Sequence, residues 1–259
     1  MSEPSIAGPG RSMAEIPDYT LFGEVEMHAV DRLHQVMAAR LTASWREVPH
    51  VTHFEEVDVT ELEARRIRDR GTRDPRAPRV SLLAFVVHAV SEALGNFPDI
   101  NASLSPDGRT LVRKAYRNIG IAVDTPVGLL VPVLHNVQDM DPAAITDGIA
   151  ALAERARAGR LRNEDIEGGS FTVSNLGRLG GTAFTPIINA PEVAILGVAR
   201  VQERVMRRSD RFVARRMLPL CLSYDHRVVD GAMAGRFLQA IGERLAALAD
   251  VSGDGPLSS

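Results

Sequence analysis

The sequence predicts an α/β protein in which helices are layered on a mixed sheet. Three observations carry this. Helix and strand patterns alternate through the middle of the chain. The last pair is the most regular: an apolar strand to Leu222, then a helix with Met233, Phe237, Ile241, Leu245 and Leu248 spaced by three or four. The elements also lack the even βαβ rhythm of a dinucleotide-binding domain. With 259 residues, 45% hydrophobic and 24% charged, the chain is long and apolar enough to bury a core.

Residues 1 to 20 contain three prolines and two glycines without periodicity, and read as a flexible arm. Asp31 to about Trp45 is helical by composition. His50 to Val59, rich in Val and Thr, reads as a strand. Thr60 is placed to cap a short charged helix, with Glu61 and Glu63 near its positive end. The Arg-rich stretch 64–79 reads as a solvated loop. Ser81 to Leu94 is apolar nearly all round, as in a helix buried on several sides. Leu111 to Val123 reads as one strand, Thr125 to Gly128 as a turn and Leu129 to Leu134 as the returning strand of a hairpin.

Asp141 and Pro142 supply the N-cap and first-turn proline of the next helix, whose core stripe is Ile145, Ile149 and Leu152. Phe171 to Ser174, Val193 to Val201 and Phe212 to Leu222 read as strands. The last helix spans about Asp230 to Leu248. Residues 252–259 form a polar tail. No linker or internal repeat divides the part between arm and tail, so residues 21–251 are expected to be one domain.

Composition narrows the function. The single cysteine, Cys221, allows no intramolecular disulfide and no Cys-based zinc site, and fits a reducing cytoplasm. A net charge of −3 argues against a generic nucleic-acid binder. No apolar run reaches the ~18–20 residues of a membrane span, and the first residues do not resemble a secretory signal. Of 30 cationic residues only Lys114 is a lysine. His50 and His53 lie three apart on a strand and point to opposite faces, so they do not chelate one ion, and no metal is expected. His88 reads as a satisfied core histidine. His28, His34 and His135 have no constellation around them.

Two segments can carry chemistry. Ser223-Tyr224-Asp225-His226-Arg227-Val228-Val229-Asp230-Gly231 joins an apolar strand to the final helix. An imidazole at a strand end can take a proton at neutral pH and return it. Asp230 would cap the helix and brace the loop. The plainer reading is a capping Asp beside a loop His. Gly168 to Gly177 (GGSFTVSNLG) ends a strand in small hydroxyl residues and glycines. Ser174 there can donate to a developing oxyanion, or simply close a local hydroxyl turn. Its glycines form neither G-x-G-x-x-G nor a P-loop.

Taken together, VPHVTHFEEVDVTELE from Val48, FPDINASL from Phe97, NIGIAVDTPVGLLVPV from Asn118, the run from Gly168 to Val198 and MLPLCLSYDHRVVDG from Met217 closely resemble one family. It is the catalytic domain of the dihydrolipoamide acyltransferase component of 2-oxo-acid dehydrogenase complexes, similar in fold to chloramphenicol acetyltransferase. FGEVE at Phe22 and the helix near Arg32 fit its N-terminal part. The resemblance covers residues 20 to 250.

The resemblance implies a general base at His226, an oxyanion-binding hydroxyl at Ser174 and a loop-ordering carboxylate at Asp230. It implies coenzyme A and dihydrolipoamide as the two thiols, and a homotrimer whose site lies between subunits. Arg32 and Arg40 are candidates for coenzyme A phosphates. Lipoyl-domain and dehydrogenase components are the implied partners. The chain carries no lipoyl or peripheral-subunit-binding domain, so the lipoyl group is expected in trans. The polar ending leads to an expected trimer in place of a larger hollow core. An acetyl group is the favoured cargo. A same-fold enzyme with a non-lipoyl acceptor and a catalytically silent scaffold are the alternatives.

Overall fold

The computed structural model describes residues 17–72, 79–177 and 180–250. Its main sheet has seven strands. They are β1 (His50–Asp58), β4 (Ile119–Ile121), β7 (Val133–Leu134), β8 (Phe171–Asn175), β9 (Ala194–Val198), β10 (Gln202–Arg208) and β11 (Arg211–Asp225), in the order β1-β11-β9-β8-β4-β7, with β10 paired to β11. The β4–β8 and β8–β9 pairs are parallel, and β9–β11, β1–β11 and β4–β7 are antiparallel. The sheet is therefore mixed, as expected.

One sheet face is apolar by simple alternation. Phe171, Val173, Ala194, Leu196, Val198, Leu220 and Leu222 all point into one core. It is covered by α3 (Leu82–Asn96), α5 (Gly231–Asp250) and, beside them, α2 (Thr60–Thr72) and α4 (Pro142–Arg157). Phe237 of α5 sits fully buried between the rings of Phe97 and Phe171, at 5.6 and 5.9 Å. Truncating such a residue to Ala costs roughly 3–5 kcal/mol. The opposite face carries Thr172, Ser174, Gly197, Cys221 and Ser223, and α1 (Arg32–Glu47) lies beyond it.

Asp141 caps its helix as expected, and Asp31 and Ser81 add caps beyond those expected from the sequence. Asp31, Ser81 and Asp141 each accept from the backbone N–H three residues on, at 3.0, 3.1 and 2.7 Å. Each such cap contributes about 1 kcal/mol. Thr60 departs from expectation. Its hydroxyl donates to Asp58 at 2.6 Å and its oxygen accepts from the Arg216 N–H at 2.8 Å, so it ties α2 to β11 and does not cap the helix.

Three readings need correction. The stretch from residue 64 is not a loop at its start, because α2 continues to Thr72. Arg66 pairs with Glu63 at 2.7 Å, Arg65 with Asp69 at 3.5 Å, and Arg65 also reaches the Leu248 carbonyl. Long Arg stems serve here as helix-covering surface, which a charge-based reading mistakes for solvation. Residues 73–78 of that stretch lie outside the described residues.

The single strand read over 111–123 is broken into β3 (Leu111–Arg113), β4 and β5 (Val123–Thr125). Asn101 holds the Lys114 and Tyr116 carbonyls at 2.8 and 2.9 Å, bending the chain between β3 and β4. β3 pairs with β2 (Ala102–Leu104), and β5 forms a two-residue-turn hairpin with β6 (Gly128–Leu130). Finally, β10 went unread, since its alternation is charged on both faces. The arm read over residues 1–20 is described only from residue 17, where Tyr19–Leu21 make a short 3-10 turn. The tail 252–259 lies outside the described residues.

Candidate active site

Ser174 lies on the wall of a cavity of about 750 Å³. Arg40, Ser44 and Glu47 of α1 form one side, Leu129 another, and Phe184 and Ile187 a third. The strand places Ser174 by alternation. Thr172 and Ser174 share the polar face, while Phe171 and Val173 anchor β8 in the core. The Ser174 hydroxyl donates to no group among the described residues, and half-faces the cavity. Directly opposite it in the ladder is Gly197, where an added Cβ would lie 2.6 Å from the Phe184 ring.

Ile188, fully buried, belongs to the segment walling this cavity. Its carbonyl accepts from Ser44 at 2.6 Å and its N–H donates to His50 Nε2 at 3.0 Å. His50 Nδ1 meets the Val48 carbonyl at 2.8 Å. His53 points the other way, toward Gly235 of α5. The two histidines thus face opposite sides of the sheet, as expected. Among the described residues no group of three or more His, Cys, Asp or Glu gathers around a point.

His226 follows β11 directly and its ring is exposed, 5.7 Å from that of Tyr224. Its N–H donates to the Pro49 carbonyl at 3.1 Å. Asp225, almost fully buried, is gripped by the Arg227 guanidinium at 2.7–3.1 Å, which fixes the turn. Asp230 accepts from the Met233 N–H at 2.6 Å and so caps α5 as read. Burial and the nearby Asp230 charge both push the Tyr224 phenol upward.

The structure does not bring Ser174 and His226 together within one chain. Ser174 is in register with Gly197 and Cys221, and His226 lies five residues beyond Cys221. That is roughly 17 Å along the strand and about 10 Å across two strand spacings. Arg40 lines the Ser174 cavity. Arg32 begins α1 at an exposed position and is not among the lining residues. His88 is a core residue with Nδ1 on the Met140 carbonyl at 3.2 Å, but it is not fully satisfied as expected: among the described residues its Nε2 makes no hydrogen bond, and Glu92 lies 3.6 Å away.

Sequence reasoning missed Glu192 and its neighbours. Glu192 is buried and accepts from the Thr172 hydroxyl at 2.6 Å. Burial pushes its carboxyl up to about 7, against the opposing pull of Thr172, Lys114 and Asn189. Burial also pushes the Lys114 ammonium down, with Glu192 opposing. The available signals were an acid inside the apolar run INAPEVAILGV and the only lysine in the chain.

The α/β fold is shared with chloramphenicol acetyltransferase. That enzyme superposes at a TM-score of 0.52 over 80% of this chain and 94% of its own, at 15% identity. Residues 22–252 match the model for the 2-oxoacid dehydrogenases acyltransferase (catalytic domain), and the chain belongs to that family.

Among relatives are the dihydrolipoyllysine-residue acetyltransferase components of the pyruvate dehydrogenase complexes of Azotobacter vinelandii and Pseudomonas aeruginosa. Both are 46% identical, over 88% and 92% of this chain. The chain spans 36% and 44% of their lengths. A solved structure of the Azotobacter vinelandii dihydrolipoamide acetyltransferase has a TM-score of 0.85 at 45% identity, covering 91% of this chain and 97% of that one. It was solved in a study of a serine, a histidine and an asparagine in that enzyme's catalytic mechanism. Their mutual spacing equals that of Ser174, His226 and Asp230, with Asn where this chain has Asp.

Proposed function

We propose that this chain moves an acyl group, acetyl by analogy with its relatives, between dihydrolipoamide and coenzyme A. The observation that carries this reading is the Ser174 cavity. Its walls are largely apolar, and Ser174 lines it with a hydroxyl. Such a slot suits a slim acyl-thiol arm. The spacing shared with the Azotobacter vinelandii serine and histidine supports the same assignment.

His226 acts as the general base. It takes the proton of the attacking thiol, and the sulfur adds to the thioester carbonyl. Ser174 donates to the oxyanion of the tetrahedral intermediate. Collapse expels the second thiolate, which recovers the proton from the imidazolium. No acyl-enzyme forms. Asp230 orders the His226 loop through its cap on α5 and transfers no proton. Arg40, on the cavity wall, is the better placed of the two candidates for a coenzyme A phosphate.

Because one chain keeps Ser174 and His226 apart, the complete site joins Ser174 of one copy to His226 of the next. A homotrimer supplies this by a heterologous three-fold contact. Exposed Leu21, Phe22 and Met27 (78, 85 and 93% accessible), with Trp45 of α1, are apolar surface that such a contact would cover. The lipoyl group is carried by a lipoyl domain of a 2-oxo-acid dehydrogenase complex, and the setting is the cytoplasm. Among the described residues no helix is long and apolar enough to cross a membrane.

The test is acyl transfer from acetyl-coenzyme A to free dihydrolipoamide, comparing wild type with His226→Ala. Transfer by wild type with a loss of about a hundredfold or more in the variant is expected. A folded wild type without transfer would overturn the reading in favour of another acceptor or a scaffold role.

A further inference from the structure

His50 makes two bonds whose polarity is dictated by its partners. The Val48 carbonyl can only accept, so Nδ1 carries the proton. The Ile188 N–H can only donate, so Nε2 offers its lone pair. The two bonds therefore select Nδ1 as donor and Nε2 as acceptor. With Ser44 and the Ala190 N–H on the Ile188 carbonyl, at 2.6 and 3.1 Å, both backbone polar groups of this buried residue have partners, and side chains from α1 and β1 reach each of them. Ile188 and its neighbours Pro186, Ile187 and Asn189 wall the Ser174 cavity.

The residue before His50 reaches the other half of the chemistry. Pro49 accepts from the His226 N–H at 3.1 Å, and His50 is in register with Asp225. The dipeptide Pro49–His50 thus hydrogen-bonds the His226 loop through its backbone and the Ser174 cavity wall through its side chain.

We propose that His50 is a positioning residue: it clamps the Ile188 peptide and thereby sets the wall of the Ser174 cavity relative to the His226 loop. It touches no reacting atom. The inference rests on the acyl-transfer reading for its catalytic consequence, but the clamp itself does not. Losing the Nε2 acceptor leaves a buried N–H unpaired, and the segment 186–190 must move to satisfy it. A wall displaced by even ~1 Å misplaces a substrate against Ser174.

Two conservative variants separate the bonds. Asn places its amide nitrogen near Nδ1 and reaches only Val48. Gln extends to the Nε2 position and presents an oxygen to Ile188. In His50→Asn, kcat/KM for acyl transfer should fall about tenfold or more, with KM carrying much of the change. In His50→Gln it should stay within about threefold of wild type. Hydrogen exchange gives the second readout: the Ile188 amide should exchange at least about tenfold faster in His50→Asn and at the wild-type rate in His50→Gln, with melting temperatures alike. Equal transfer by the two variants, or equal protection of the Ile188 amide, would overturn the proposal. A wild type without transfer brings down the acyl-transfer reading instead, and the exchange comparison then decides the clamp alone.

Discussion

Thr172 donates its hydroxyl to the buried carboxylate of Glu192 at 2.6 Å, two residues before Ser174 and on the same face of β8. An acid thus sits directly behind the cavity wall. Its proton is held to higher pH than in the unfolded chain, because burial raises the carboxyl from 4.5 to about 7. Between those values the folded state binds more protons than the unfolded one. Stability therefore falls as pH rises through this window and levels off above it, by a total on the order of 3 kcal/mol. Urea unfolding at a series of pH values checks this, and Glu192→Gln should flatten the slope. A stability that rises steadily from pH 4.5 to 7 in wild type and is unchanged in the variant would contradict it.

The separation of Ser174 from His226 predicts complementation. In the proposed homotrimer, Ser174→Ala and His226→Ala should each lose about a hundredfold or more in acyl transfer. Unfolded together at equal ratio and refolded, they should regain about a quarter of wild-type activity, since one site in four then pairs an intact His with an intact Ser from different chains. No recovery in verified mixed trimers would place both residues in the same chain's site.

Gly197 lies opposite Ser174 in the β8–β9 ladder, and the Phe184 ring packs where its side chain would be. Gly197→Ala must push that ring aside, at a cost of about 1–3 kcal/mol. Phe184 lines the cavity, so its displacement narrows the space beside Ser174. We expect KM for the thiol substrates to rise several-fold while the trimer persists. Steady-state kinetics on the variant, with its mass by light scattering, decides the matter. An unchanged KM would mean that the ring is not part of the binding wall.

Asp230 caps α5 through the Met233 N–H. Asn can make the same bond, and the Azotobacter vinelandii relative carries an asparagine at this spacing. Asp230→Asn should therefore keep stability within about 0.5 kcal/mol and retain most activity, whereas Asp230→Ala should lose about 1 kcal/mol and loosen the His226 loop. Thermal melts and transfer assays on both variants compare the roles. Equal damage from Asn and Ala would show that the charge, and not the cap, matters.

Much of this molecule was legible in its residues because the determinants are local. Asp141 and Asp230 announce helix starts by a side-chain acceptor three residues from its donor. The alternation of Phe171 with Val173, and the three-and-four spacing from Met233 to Leu248, each identify a buried face without knowledge of what covers it. His226, Ser174 and Asp230 stand in short segments whose order along the chain carried the family resemblance.

Long-range geometry decided the rest. The strand read over 111–123 divides because Asn101, distant in sequence, binds the carbonyls of its middle. The Glu192 carboxyl is pushed up to about 7 only because the fold buries it behind β8, against the opposing pull of Thr172 and Lys114. His50, a β-strand histidine with no motif around it, becomes a clamp only because Ile188, 138 residues later, presents its N–H there. The sequence by itself determined which residues cap, alternate and repeat, since those energies depend on neighbours a few residues apart. Only the tertiary structure decided which polar groups are buried together and that Ser174 and His226 of one chain stand apart, because both depend on strand register, a property of the whole sheet.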